Sequence, residues 1–213
     1  MSAPARDRGG FAAVRRQRRT LIGLALLFFA PLACAFLLYY GIGWRPSGRV
    51  NHGELIDPPR PLPAVALPRV APDGAVDSMM PTDFLTHKWT LLYWGAGDCS
   101  ERCKIDLYDT RQVRIALNRD MDRVQRVFVA QDRCCDLDFL RRQHPDLITV
   151  RATSEADPIL KLLRLSVTDD PTTANRIYLI DPLGNVMMYY APGARPKGML
   201  EDLKRLLGLS HVG

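Results

Sequence analysis

The chain has 213 residues and a formal net charge of +6, from 29 Lys and Arg against 23 Asp and Glu. With the N-terminal segment set aside, about 130 to 150 residues remain, enough for one compact domain with its own core and too few for a second large one. Six arginines and a single acid, Asp7, precede Thr20, which leaves 23 basic and 22 acidic side chains in the rest; that balance gives no basic face of the kind phosphate backbones require, so no nucleic acid is expected as a partner.

Residues 1–19 read as a basic tail. They run into LIGLALLFFAPLACAFLLYYGIGW, residues 21–44, which carries no charged side chain. About 20 apolar residues span a hydrocarbon core, and Tyr39, Tyr40 and Trp44 suit an interface, so residues 20–44 are expected to form one transmembrane helix. Arginines before the span place the N-terminus in the cytoplasm and the rest of the chain outside it. The competing reading is a cleaved signal peptide, since Ala33-Cys34-Ala35 has the small-x-small form of a cleavage site; the continued run from Phe36 to Trp44 favours an uncleaved anchor. Cys34, inside the span, reads as a small apolar residue.

Residues 45–81 hold eight of the sixteen prolines, among them DPPRPLP at 57–63. That composition predicts an extended stalk poor in regular structure. It serves either as a spacer or as a docking strip for a membrane partner, with NHGELI (51–56) as its most specific part.

Residues 82–213 read as the folded domain. WTLLYWG (89–95), VQRVFVA (124–130), LITVRA (147–152), RIYLID (176–181) and VMMYY (186–190) have the β-branched and aromatic content of strands. Between them Val113, Ala116, Leu117 and Met121 recur at helical steps, as do Leu160 and Leu163. A last helix starts near Pro196 and ends near Gly208, with Leu200, Leu203, Leu206 and Leu207 on one face and Glu201, Asp202, Lys204 and Arg205 on the other. DPLGN (181–185) has turn residues between two strands and predicts a hairpin. Strand-helix alternation, a hairpin and a closing helix describe an α/β sandwich of thioredoxin type.

Four cysteines lie beyond the span: Cys99, Cys103, Cys134 and Cys135. A strand ending at Trp94, a glycine-containing turn and then CSERC put Cys99 at or near a helix N-terminus, where unpaired amides and the helix dipole favour thiolate over thiol. Thiols four residues apart can converge on a soft ion such as Cu(I), join as a redox-active disulfide, or form a static structural disulfide; spacing does not separate these. Cys134 and Cys135 follow the strand VQRVFVA. They are auxiliary candidates, as resolving thiols or replacement metal ligands, or else two loop cysteines with no shared chemistry.

The strings DFLTHKWTLLYWG (83–95), YWGAGDCSERC (93–103) and YLIDPLGN (178–185) resemble the Sco/SenC family of membrane-anchored, thioredoxin-like proteins. NHGELIDPPRPLP together with KWTLLYWGAGDC is similar to small proteobacterial membrane proteins associated with cytochrome c oxidase assembly. The resemblance spans roughly residues 20–210. It implies a thioredoxin fold and a bacterial inner-membrane protein with a periplasmic domain. It also implies an oxidase subunit or assembly factor as partner, and copper bound through Cys99 and Cys103. The family's distant copper-binding histidine should fall at about Thr173, and no histidine lies between His144 and His211. Two thiolates still suit Cu(I), but the third ligand is lost, which shifts weight toward thiol-disulfide exchange, with Cys99 attacking and Cys103 resolving.

Met187 and Met188 are thioether candidates, yet a strand should bury at least one of them. His52, His87 and His144 read as surface side chains. No phosphate-binding glycine loop, HExxH, paired-carboxylate hydrolase signature or Ser nucleophile motif is present. The expected function is assistance to oxidase assembly by thiol-disulfide exchange or Cu(I) handling; the alternative is a binding scaffold whose disulfide is structural.

Overall fold

The structure, a computed structural model, describes residues 9–41, 51–71, 74–131 and 137–210. The chain divides into two units, Met1–Arg49 and Val50–Gly213.

The described residues of the first unit form a helix, α1 (Gly9–Phe36), continued by a turn of π-helix over Leu37–Gly41. Within it Arg18–Gly41, 24 residues, is long and apolar enough to cross a membrane. At about 1.5 Å per residue that length exceeds a hydrocarbon core of about 30 Å. Leu21, Ile22, Leu26, Leu27 and Phe28 are all exposed and fall on every side of the helix, so it is apolar all round rather than along one stripe. Trp44 lies outside the described residues.

The second unit is a mixed eight-stranded sheet: β1 (Glu54–Pro61), β2 (Pro68–Val70), β3 (Val76–Met79), β4 (Trp89–Gly95), β5 (Val124–Ala130), β6 (Leu147–Arg151), β7 (Ile177–Ile180) and β8 (Asn185–Tyr190). Their order is β1-β8-β7-β4-β5-β6-β2-β3. Strands β4, β5 and β6 are parallel, and β7, β8 and β1 continue antiparallel from β4. Helices α2 (Glu101–Ala116), α3 (Leu137–Gln143), α4 (Asp157–Leu163) and α5 (Pro196–Leu209) complete the fold. The five strands expected between residues 89 and 190 all form, and the DPLGN turn closes the β7-β8 hairpin, with Asp181 Oδ1 accepting from the Leu183 and Asn185 amides.

The sheet is buried on both faces, which is why β4 reads as a continuous apolar run. Trp89, Leu91 and Tyr93 join one core with Leu107 and Val113 of α2 and Met199, Leu203 and Leu207 of α5. Leu92 and Trp94 join the other with Ile159 and Leu163 of α4. In β8, Val186 belongs to the second core and Met188 and Tyr190 to the first, although all three are even-numbered. The register against β7 shifts between these residues, and a bulge of this kind turns the following side chains to the opposite face. Met188 is therefore core, as a strand required of one of the two methionines.

The Pro-rich segment corrects the expectation of an unstructured stalk over 45–81. Residues 54–79 supply three strands and both edges of the sheet. Proline cannot donate to a ladder but is tolerated on an edge, where one side of the strand needs no donors. In β1 the pairing with β8 skips from Leu55 to Arg60, across Pro58 and Pro59. Gly53 explains why the chain enters here so closely: a Cβ at that position would lie 2.5 Å from Met188 Sδ and 2.8 Å from a Tyr190 ring carbon.

Asp202 is a second correction. Helical spacing puts it on the polar face of α5, yet it is buried. Its carboxylate accepts from the His52 and Gly53 amides, both at 2.9 Å to Oδ2, and from the Tyr190 hydroxyl at 3.3 Å. The polar strip NHGELI is thus bolted to the last helix through its backbone, while the His52 ring meets Glu201 at 2.8 Å.

Candidate functional site

Strand β4 ends at Gly95, where the backbone carbonyl accepts from the Gln131 amide at 2.9 Å and the neighbouring Trp94 indole donates to Gln131 Oε1 at 2.7 Å. These bonds hold the C-terminal ends of β4 and β5 together. A Cβ on residue 95 would lie 2.9 Å from the Tyr93 ring, so glycine lets the chain turn tightly over that ring. The turn closes with the Cys99 amide donating to Ala96 O at 3.1 Å, and Cys99 takes the left-handed conformation, φ +47°. Ser100 follows as N-cap of α2, its hydroxyl accepting from the Cys103 amide at 3.3 Å.

Cys99 and Cys103 are joined as a disulfide with Cα atoms 5.2 Å apart. Cys99 precedes the cap and Cys103 is the third residue of the helix, so the pair straddles the helix start rather than sharing one helical face. Each cysteine is 2 % exposed and belongs to the core that contains Tyr93, Leu107 and Met188. This differs from the partly exposed setting in which reactive cysteines usually sit. The position of the corner is as expected: it lies at the start of α2, where the first amides of a helix lack intrahelical partners and the dipole has its positive end.

The inward stripe of α2 below the disulfide is Cys103, Asp106, Leu107, Thr110 and Val113. Asp106 is buried and is held by Arg102, whose Nε donates to Oδ2 at 2.9 Å and whose Nη2 reaches Oδ1. That bond raises the Arg102 pKa. The Tyr93 phenol is pushed well above its ordinary range, first by burial and then by the charge of Asp106, with Arg102 opposing. It stays protonated and donates to Asn175 Oδ1 at 2.8 Å. This ties β4 to the loop before β7, which carries Thr173, at the same end of the sheet as the disulfide. Thr173, the position at which the family resemblance calls for histidine, is exposed, and its hydroxyl donates to Asp170 O at 3.4 Å.

Cys134 and Cys135 lie outside the described residues. His87 is exposed beside Asp83. His144 corrects the surface reading: it is buried and its Nδ1 lies 3.2 Å from the buried guanidinium of Arg126. Nothing in the local sequence HPD marks it, because the cation it packs on is 18 residues away. Sequence spacing likewise passes over Asp106 and Asn175; a carboxylate three residues after Cys103 in a helix start was the one available sign. Among the described residues no group of three or more His, Cys, Asp or Glu side chains converges as a metal site.

The family of transmembrane-like, thioredoxin-like C-terminal domains matches residues 89–210, more than half of the chain. The chain belongs to this family. Solved structures of Sco proteins share the fold. Apo Sco1 of Thermus thermophilus superposes with a TM-score of 0.58 at 17% identity, covering 76% of this chain and 99% of that one. Copper-bound yeast Sco1 gives 0.53 at 17%, covering 70% and 94%. Copper-bound ScoI of Arabidopsis thaliana gives 0.52 at 18%, covering 71% and 98%. The Sco/SenC resemblance is therefore met at the level of fold, the level that identities this low establish. Among curated proteins no sequence match is found.

Proposed function

We propose that this is a single-pass inner-membrane protein whose thioredoxin-like domain faces the periplasm and assists cytochrome c oxidase assembly by thiol-disulfide exchange at Cys99 and Cys103. The observation that carries the reading is the Cys99–Cys103 disulfide set across the start of α2, where the helix field favours thiolate. In the forward step the reduced Cys99 thiolate attacks a client disulfide, forming a mixed disulfide and releasing one client thiolate. The Cys103 thiolate then attacks the Cys99 sulfur and releases the second. The client gains two electrons and the pair returns to the disulfide seen here, to be reduced again by a dithiol donor. Suitable clients are the copper-ligand cysteines of the oxidase, which must be thiols to take up metal.

Once reduced, the same two thiolates fit Cu(I) as cargo, being soft ligands for a soft ion. The copper-bound Sco neighbours support keeping this form of the reading. Thr173, at about the position where the family's histidine would stand, offers a neutral hard oxygen, so in this form both thiolates hold the ion with the third ligand unassigned. A scaffold with a static disulfide is favoured by one specific observation, the 2 % exposure of both cysteines.

The deciding experiment measures the midpoint potential of the pair in the full chain. Exchange predicts a value above about −300 mV; a value well below that marks a structural disulfide and overturns the redox reading. Anaerobic Cu(I) titration against a chelator, repeated on Cys99→Ser and Cys103→Ser, tests cargo binding. Affinity independent of both cysteines would remove copper from the proposal.

A further inference from the structure

Helix α2 is apolar on two sides. Its inward stripe, from Cys103 to Val113, packs against the sheet. On the opposite side Ile105, Tyr108 and Ile115 are exposed, in a helix whose outer face would ordinarily be polar. With Gln112 these residues recur at steps of three, four and three. That is the spacing of the a and d positions at which one helix receives the side chains of another.

At about 100° per residue the midline of this stripe passes between Tyr108 and Gln112, and Asp109 and Arg111 fall about 80° to either side of it. The seam therefore has an acid on one flank and a base on the other. Both side chains are partly exposed, and neither forms a salt bridge or a side-chain hydrogen bond among the described residues. The nearest guanidinium to Asp109 along the helix, that of Arg102, is committed to Asp106. An apolar seam between two unmatched charges of opposite sign suits a second helix, because flanking charges fix which partner is accepted.

A second copy of this chain does not supply the match. In an antiparallel pair of α2 helices with Ile105 opposite Ile115, a two-fold axis sets Asp109 beside its own copy and Arg111 beside its own. In a parallel heptad pair Arg111 meets Ala116. We propose that the outer face of α2 docks an amphipathic helix of another protein, one whose apolar seam is flanked by a base opposite Asp109 and an acid opposite Arg111. Tyr108 is the central anchor, an apolar ring with a polar tip of the kind enriched at interfaces. Ile105 follows Cys103 by two residues, so a helix seated here is held beside the disulfide corner. Docking requires no reaction of the disulfide, and its test stands apart from the redox reading.

The test uses the full chain in nanodiscs of zwitterionic lipid, with empty nanodiscs as reference. Three synthetic helical peptides, each about three heptads long with leucine at a and d, are titrated calorimetrically. One has glutamate on one flank and arginine on the other, the second glutamate on both, the third arginine on both. The expected result is saturable binding of the mixed peptide, about tenfold tighter than either of the others. Asp109→Lys should move the preference to the glutamate peptide, and the double variant I105K/I115K should abolish binding while unfolding at the parent temperature. No saturable binding of the mixed peptide, equal affinity for all three, or an unmoved preference in Asp109→Lys overturns the proposal. A concentration-dependent dimer of the parent that is lost in I105K/I115K also overturns it, by assigning the seam to a second copy.

Discussion

Arg126 is 1 % exposed in the middle of β5, and a cation so placed persists only if each N–H is met. Its Nε donates to Thr110 Oγ1, Nη1 to the Asp146 carboxylate, and Nη2 to Leu107 O and His144 Nδ1. One residue thereby joins α2, β5 and the turn before β6. Burial, then the charges of Arg126 and Arg111, depress the His144 pKa to about 4. An unfolded imidazole titrates near 6.5, so between these values the unfolded chain binds a proton that the folded one refuses. The stability His144 contributes is thus whole above about pH 6.5 and is lost as pH falls toward 4, by on the order of 2 kcal/mol. His144→Gln keeps an acceptor for Arg126 and removes the titration. Urea midpoints at pH 7 and pH 4.5 should differ less in the variant than in the parent; an unchanged difference would place the acid sensitivity elsewhere.

Two elements decide how the disulfide is presented. The loop from Gly95 to Ser100 is set by hydrogen bonds at both ends, and α2 begins only where the Ser100 hydroxyl satisfies the Cys103 amide. Because both sulfurs are covered, a reductant or client reaches them only when this first turn opens, and the cap controls the free energy of that opening. Ser100→Ala should cost about 1 kcal/mol of stability and quicken reduction of the disulfide by dithiothreitol. Reduction at the parent rate in a destabilised variant would show that access does not run through the cap. The other element is the segment 51–61. Its prolines suit the sheet edge, and Asp202 anchors it by two backbone amides and the Tyr190 hydroxyl. A buried carboxylate with three donors is a stronger constraint than composition alone conveys.

For the whole molecule, the proposed chemistry needs the folded domain outside the cytoplasm, since disulfides persist in oxidising compartments, and the arginines before the apolar helix predict that orientation. A reporter that works only outside the cytoplasm, fused after Gly213, should be active, and a cytoplasmic reporter at the same site inactive; the reverse pattern would invert the topology. Much of this organisation was legible in the chain. The apolar span, the strands from Trp89 to Tyr190, the DPLGN hairpin and the closing helix each rest on local periodicity or turn chemistry, and the CSERC corner follows from a strand running into a helix start. What tertiary structure decided were matters of long-range pairing. The Pro-rich segment became two sheet edges because β8 and β6 offered partners, and Asp202 turned inward because distant amides needed an acceptor. His144 was buried because Arg126 lay beneath it, and the cysteines were covered by packing of α2 against the sheet. Periodicity reports which side of an element is apolar; only the assembled fold supplies the remote donors, acceptors and packing partners that determine which polar and thiol groups it buries.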